Sequence, residues 1–537
     1  MTTTLIHNAN IRTMNPACPQ SDAILLQDGK VVALGDKARS RAGDARQIDA
    51  GGRLLLPGFQ DAHIHLLNGG TDLVETAQLY DCTTLADIQA AMAAHQASQT
   101  GPMIWGAGWQ SGFFGDHNLT RDILDAVVPD RPCLIYDGNF HNACLNSKAL
   151  QIIGVGPDTP DPLNGHIVRD SSGVATGMLH EEAINWATNL LPQTSDATRR
   201  QGLAAGMAWA NKHGITGVID PWILDHHARI YSEGLDSLTL RVAGACLVTA
   251  ADSVETMLTR LRAFRAAHCG QDFHLNAAKF FLDGGLENRT AALLAPYADA
   301  ASGNAALMFS QAQIDAMFTA LDAERFQIHV HCIGDAATHA ALNGFQAARD
   351  ANGAWPSLHQ IAHCQLVDPV DFPRFAALGV MANLQPLWAC NDPIIPDDTM
   401  AMIGPKRAPN TYAFRSLIDA GAPYCINSDW AVTTLNPFEI IGTAVTREPP
   451  RARGVAEPFF PDQCLTVEEA VLGYTTHAAA ACWRGHYTGA LKPGYSADLI
   501  LLDRDIFNVN PYAIAETRVL LTLFKGREIY RAETFSS

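Results

Sequence analysis

QAQIDAMFTALDAERFQIHVHCIGD, residues 311–335, reads as a helical stretch that runs into a continuous apolar strand. Seven other apolar runs share the character of its second half. They are LLLPGFQDAHIHL (54–66), GITGVID (214–220), LRVAGACL (240–247), HLNAAKFFLDGG (274–285), HQIAHCQL (359–366), GVMANLQP (379–386) and APYCINSDWAV (422–432). Helical stretches such as ADSVETMLTRLRAFRAA (251–267) lie between them. Apolar strands alternating with helices imply a parallel sheet covered on both faces. Eight such runs fit an α/β fold, the (β/α)8 TIM barrel. An open doubly wound sheet would give the same periodicity.

Working outward, both ends of the chain have a different flavour. ILLQDGKVVALGD carries an Asp28-Gly29 turn between two apolar runs, a hairpin signal. SADLILLDRD and RVLLTLFKGREIY near the C-terminus look alike in character. Residues 1–57 and 480–537 are therefore expected to build one small β-sandwich domain from both termini, around a barrel over 58–479. About 140 residues separate the first barrel run from the second, far more than a βα unit needs. The stretch 70–205, with strands PMIWGAGW and RPCLIYDGN, reads as an insertion after the first barrel strand.

The bulk composition excludes several classes. The 537 residues are 47% hydrophobic and 17% charged, so wholesale disorder is excluded. A net charge of −18 argues against nucleic acid or an anionic membrane as partner. The 12 cysteines form no C-x-x-C pair, which removes a zinc ribbon and a disulfide scaffold and suits a reducing cytoplasm. MTTTLIHNANIRTMN has no basic start followed by an apolar run, and no apolar run is long enough to cross a bilayer. The sequons at Asn118 and Asn288 are then chance matches. No phosphate-binding loop and no G-x-S-x-G elbow is present.

The chemistry-bearing residues sit at the ends of the barrel runs. His63 and His65, two apart in a strand, share a face and point into the barrel near its C-terminal mouth. By themselves they could equally be hydrogen-bonded core histidines. Their company is His331 in HVHC, His363 in IAHC, Lys279 in AAKFF and Asp429 in NSDW. Polar residues near the ends of several different strands are the distribution expected of a barrel active site. Imidazole and carboxylate donors suit Zn2+ or a similar divalent ion. A lysine inside an apolar strand must be paired or chemically altered. Asp283, four residues on, could form a salt bridge with Lys279; carboxylation by CO2 would instead make the lysine an anion able to bridge two metals. His329 shares a face with His331, so either could be the ligand. Trp109, Phe113, Phe114 and Trp388 could line an apolar pocket or be plain core.

The order H-x-H, Lys, His, His, Asp resembles the amidohydrolase superfamily. Finer motifs resemble its YtcJ-like branch, which includes N-substituted formamide deformylases: PGFQDAHIHL, HNACLNSKAL, KFFLDGG, HVHCIGDAA, AHCQ, GPKRAPNTYAFRSLIDAG, SDWAVTTLNPF and PGYSADLILLD. They span nearly the whole chain. The resemblance implies His63, His65, Lys279, His331 and His363 as metal ligands and Asp429 as catalytic acid/base. It favours His331, directly before Cys-Ile-Gly-Asp, over His329, which becomes a deeper packing residue. It places His141 near the active-site mouth, as a catalytic contact or a structural loop histidine. Asp283, Trp109 and Trp388 are the expected substrate-binding residues. Mononuclear deaminases of the superfamily carry a glutamate three residues after a strand histidine; Gly334 and Leu366 stand there instead, which counts against deamination.

The expected activity is hydrolysis of a C–N bond in a small secondary amide, such as an N-substituted formamide. The family also implies a homodimer. Esters, lactones, carbamates and cyclic amides could use the same site, and a retired barrel serving as a binding or regulatory protein is the non-enzymatic alternative.

Overall fold

The computed structural model describes residues 3–535 apart from 111–117, 139, 288, 300–302 and 392–396. Phe113, Phe114 and Asn288 lie outside the described residues. The chain divides into two compact units: Met1–Leu66 with Met207–Trp430 and Thr434–Ser537, and Leu67–Gly206 with Ala431–Thr433.

The first unit contains the barrel. Its strands are β1 (Phe59–Asp61), β2 (Ile215–Ile223), β3 (Arg241–Leu247), β4 (Phe273–Phe281), β5 (Gln327–Cys332), β6 (Gln360–His363), β7 (Met381–Leu384) and β8 (Tyr424–Ile426). They pair in chain order, each parallel to the next. Every residue of β5 through β8 is buried, which is why these strands read as unbroken apolar runs rather than alternating ones. The sheet is nearly closed.

The helix Gln311–Ala323 shows how the sequence sets these elements. Ser310 Oγ accepts the Gln313 N–H at 3.3 Å, and Gln313 Oε1 accepts the Ser310 N–H at 3.0 Å, a reciprocal cap. Ile314, Met317, Phe318 and Leu321 form its buried face. Phe318 meets Phe280 of β4 at 5.1 Å and Phe345 of the helix Asp335–Asn352 at 4.9 Å. Burying such a ring contributes about 1.5–3 kcal/mol. The two helices approach at Gly344, where a Cβ would come within 2.5 Å of Ile314 Cγ2.

Both termini build one eight-stranded sheet in the same unit. Its order is Arg527–Arg531, Val519–Phe524, Leu499–Leu502, Leu54–Pro57, Thr3–Arg12, Gln20–Gln27, Lys30–Leu34, with Arg46–Asp49 also paired to Thr3–Arg12. Asp28 and Gly29 turn the hairpin with φ of 50° and 79°, the left-handed pair a tight two-residue loop requires. Leu55, Leu499, Leu501 and Leu521 share its apolar core. Leu54–Pro57 leads almost directly into β1.

The second unit carries a six-stranded mixed sheet, in the order Gly165–Arg169, Ala175–Glu181, Asn142–Leu145, Cys133–Asp137, Ile104–Trp109, Thr76–Gln78. No helix among the described residues is long and apolar enough to cross a membrane. All twelve cysteines are free.

Candidate metal centre

His63 and His65 follow β1, His363 closes β6, and Asp429 stands just beyond β8. Donor atoms of His63, His363 and Asp429 lie within 4.8 Å of one another, and all three residues are buried. Asp429 Oδ1 is 3.3 Å from Nε2 of both His63 and His65, and Oδ2 is 3.9 Å from His363 Nδ1. Two of the backbones are held in the left-handed region, His363 at φ 79° and Asp429 at φ 52°. Such conformations in non-glycine residues cost about 1–3 kcal/mol and gather at functional sites.

His329 lies deeper in the barrel than His331, and there it meets His63. Its Nε2 faces His63 Nδ1 at 2.8 Å, deep in the barrel. His331, one strand step further toward the mouth, stacks edge-on to His363 at 4.4 Å, and its Nε2 is 3.3 Å from the Gly284 carbonyl. Both histidines therefore border the cluster. Burial, then the nearby Lys279 charge, pushes His63 and His329 well below the usual imidazole range. Neutral imidazoles are the form that binds metal.

Lys279 lies opposite His329 in the β4–β5 ladder and is fully buried. Its Nζ has no hydrogen-bond partner and sits 4.6 Å over the Phe281 ring. Burial lowers the amine to about 7 against the pull of Asp429. The salt bridge with Asp283 is not formed. That carboxylate instead accepts backbone N–H groups from Ala292 (3.0 Å), Ile333 (3.0 Å) and Gly334 (2.8 Å), tying together the loops after β4 and β5. This places Asp283 as a loop staple, not as a free substrate-binding group. Burial pushes Asp429 up, but His65 and then His363 outweigh it and hold the carboxyl at about 2. It is a ready carboxylate.

Trp388 stacks on His363, ring centres 5.7 Å apart, and its Nε1 has no hydrogen-bond partner. Trp109 departs from expectation. It is fully buried in the second unit's core with Leu79, Met92 and Ile135, so it serves packing rather than a pocket wall. His141 belongs to that unit and pairs with Glu181 at 2.9 Å. Three neighbours went unread in the sequence. Trp222 packs on His65 at 6.3 Å, Phe281 packs on His331 at 4.8 Å, and Gln385 Oε1 contacts His363 Nδ1. The position of Trp222 and Gln385 at barrel-strand ends was the one available signal.

The donor set suits a divalent cation. Imidazole nitrogens and one carboxylate converge, and the buried Lys279 Nζ and His329 Nδ1 lack any hydrogen-bond partner. A barrel with such a cluster at its strand ends defines a metal-dependent hydrolase. The chain belongs to the amidohydrolase family, whose pattern matches residues 46–530. It is 27% identical to the protein LONG AFTER FAR-RED 3 of Arabidopsis thaliana, over 98% of this chain and 91% of that one. It is 26% identical to YtcJ of Bacillus subtilis, over 98% of each chain. It is also 26% identical to the N-substituted formamide deformylase of Arthrobacter pascens, over 97% of each chain. The fold superposes on a metal-dependent hydrolase from Pyrococcus horikoshii with a TM-score of 0.77 at 23% identity, covering 95% of this chain and 99% of that one.

Proposed function

We propose that the protein hydrolyses the C–N bond of a small secondary amide, with an N-substituted formamide as the leading substrate class. The carrying observation is the buried convergence of His63, His363 and Asp429 beside the unpaired amine of Lys279. The full-length similarity to an N-substituted formamide deformylase supports the substrate class.

His63, His65, His363 and one or both of His329 and His331 would hold Zn2+, with Lys279 as a carboxylated bridge where two ions bind. Bound there, the ion supplies Lewis acidity and brings the pKa of water toward 7. Asp429 removes the proton from the attacking water, whose oxygen bonds to the carbonyl carbon. It then gives that proton to the nitrogen as the C–N bond breaks. A formamide yields formate and a free amine, so neither partner leaves as an amide anion. Asp429 is held as a carboxylate and is able to accept. Trp388 offers an apolar wall beside His363. The free cysteines suit a reducing compartment.

The test is amine release from N-substituted formamides, acetamides, carbamates and cyclic amides, with and without a chelator, for wild type and Asp429→Asn. Chelator-sensitive release from formamides, lowered on the order of 10²–10⁴-fold in Asp429→Asn, is expected. Release from another class alone would replace the substrate, and near-normal turnover by a metal-loaded Asp429→Asn would remove the acid/base role.

A further inference from the structure

The barrel ladder runs from β1 round to β8, and no ladder joins β8 back to β1 among the described residues. His63 and His65 leave one edge of this seam and Asp429 leaves the other. The spacing of these groups is thus set where the sheet is least continuous. Backbone contacts across the seam are few: Ala62 N–H to the Ile426 carbonyl at 3.4 Å, Asp429 N–H to the His63 carbonyl at 2.9 Å, and His65 N–H to the Trp430 carbonyl at 2.6 Å.

Side chains do the rest. The Asp61 carboxylate accepts the Ser428 N–H at 3.2 Å and the His63 N–H at 3.1 Å. Beneath it lies Asn383 of β7, fully buried. Its Nδ2 donates to the Ala62 carbonyl at 2.9 Å and to Gln360 Oε1 at 2.8 Å. Its Oδ1 accepts from Asn427 Nδ2 at 2.6 Å, which also donates to the Leu384 carbonyl at 2.9 Å. One amide therefore grips a residue adjacent to His63, a residue two before Asp429, and the β6 strand that ends in His363. Both amide hydrogens are used. No apolar side chain of that size could replace them without orphaning buried polar atoms on β6 and just beyond β1 and β8.

We infer that Asn383 is a positioning residue that closes the barrel seam and fixes the spacing of His63, His363 and Asp429. It touches no reacting group and acts through the ligands it spaces. The inference rests on the metal-site reading above. Supporting groups of this kind change metal affinity by about 10–100-fold when removed.

The experiment measures Zn2+ affinity by chelator competition, together with thermal unfolding of the metal-free proteins. Its subjects are wild type, Asn383→Ala, the near-isosteric Asn383→Asp, Asn427→Ala and Gln327→Met. Gln327 is the contrast, because it hydrogen-bonds in the same interior region to the Leu358 and Ala481 carbonyls but does not span the seam. Asn383→Ala and Asn383→Asp should bind Zn2+ about 10–100-fold more weakly. Asn427→Ala, which loses one link, should fall between them and wild type, and Gln327→Met should lose stability while keeping its affinity. Should the Asn383 variants fail to fold, Asn427→Ala against Gln327→Met decides. Wild-type affinity in the Asn383 variants, or an equal loss in Gln327→Met, would make the ladder merely structural and overturn the inference. A wild-type protein that takes up no Zn2+ would instead remove the metal site itself.

Discussion

Among single residues, Lys279 makes the most unusual demand on the fold. A buried ammonium without a partner is costly, and the amine answers by falling to about 7. Near neutral pH a substantial share of it is therefore the free base, the form that adds CO2. Incorporation of 13C-bicarbonate at Lys279 should accordingly rise as pH climbs through about 7, with a second metal ion bound in parallel. Mass spectrometry and NMR of the native protein would read the label, and full activity with two metals and no label would rule out the carboxylated bridge. Lys279→Met should abolish the label and lower turnover by at least the ~10–100-fold that loss of a supporting group brings. Lysine in AAKFF was legible in the sequence because a charge inside an apolar strand violates a local rule. The contact of His329 with His63 was not legible. Which of two histidines on one strand face meets His63 depends on the stagger between strands, which short-range pattern does not contain.

At the scale of elements, the eight strands were legible because each is a short apolar run with a polar end. The seam was not, since Asn383 meets Ala62 across 321 residues of chain. Trp109 failed for a related reason: an aromatic in WGAGW reads the same whether its strand turns it to a core or to a pocket. Glu469 shows an element held from two sides. It caps the helix Val467–Leu472, accepting the Thr466 N–H at 2.8 Å, while Arg415 donates to its carboxylate at 2.8 Å. Chiefly through Arg415, its pKa is held at about 2. A carboxyl depressed on folding stabilises above its unfolded value and loses that contribution as pH falls through the folded one. Glu469→Gln should therefore cost about 1 kcal/mol at neutral pH, given how much of this pair meets water. The deficit should shrink as pH drops from about 4.5 toward 2. Urea titrations across that range would check it, and a deficit independent of pH would show that the cap, not the charge, carries the effect.

At the scale of the barrel unit, the terminal sheet contributes no candidate ligand, yet it governs how β1 begins. The Asp498 carbonyl accepts the Gly58 N–H at 3.0 Å, one residue before β1, and Leu499–Leu502 pairs with Leu54–Pro57. The Asp498 side chain binds Arg241 at the start of β3. Arg241 Nη2 also donates to Ser496 Oγ at 2.8 Å, and Asp498 Oδ1 accepts the Lys525 N–H at 2.8 Å. Arg241 is 3% exposed and Asp498 6%, so water cannot rescue either charge alone. Arg241→Met should cost about 3–5 kcal/mol, because it strands a buried carboxylate. Adding Asp498→Leu should recover part of that loss, since the orphaned charge is removed with its partner. Unfolding of the metal-free proteins measures both, and Zn2+ affinity reads whether the damage reaches His63 through β1. A single variant within about 1 kcal/mol of wild type, or a double variant worse than either single one, would mean that the ion pair does not clamp the terminal sheet to the barrel.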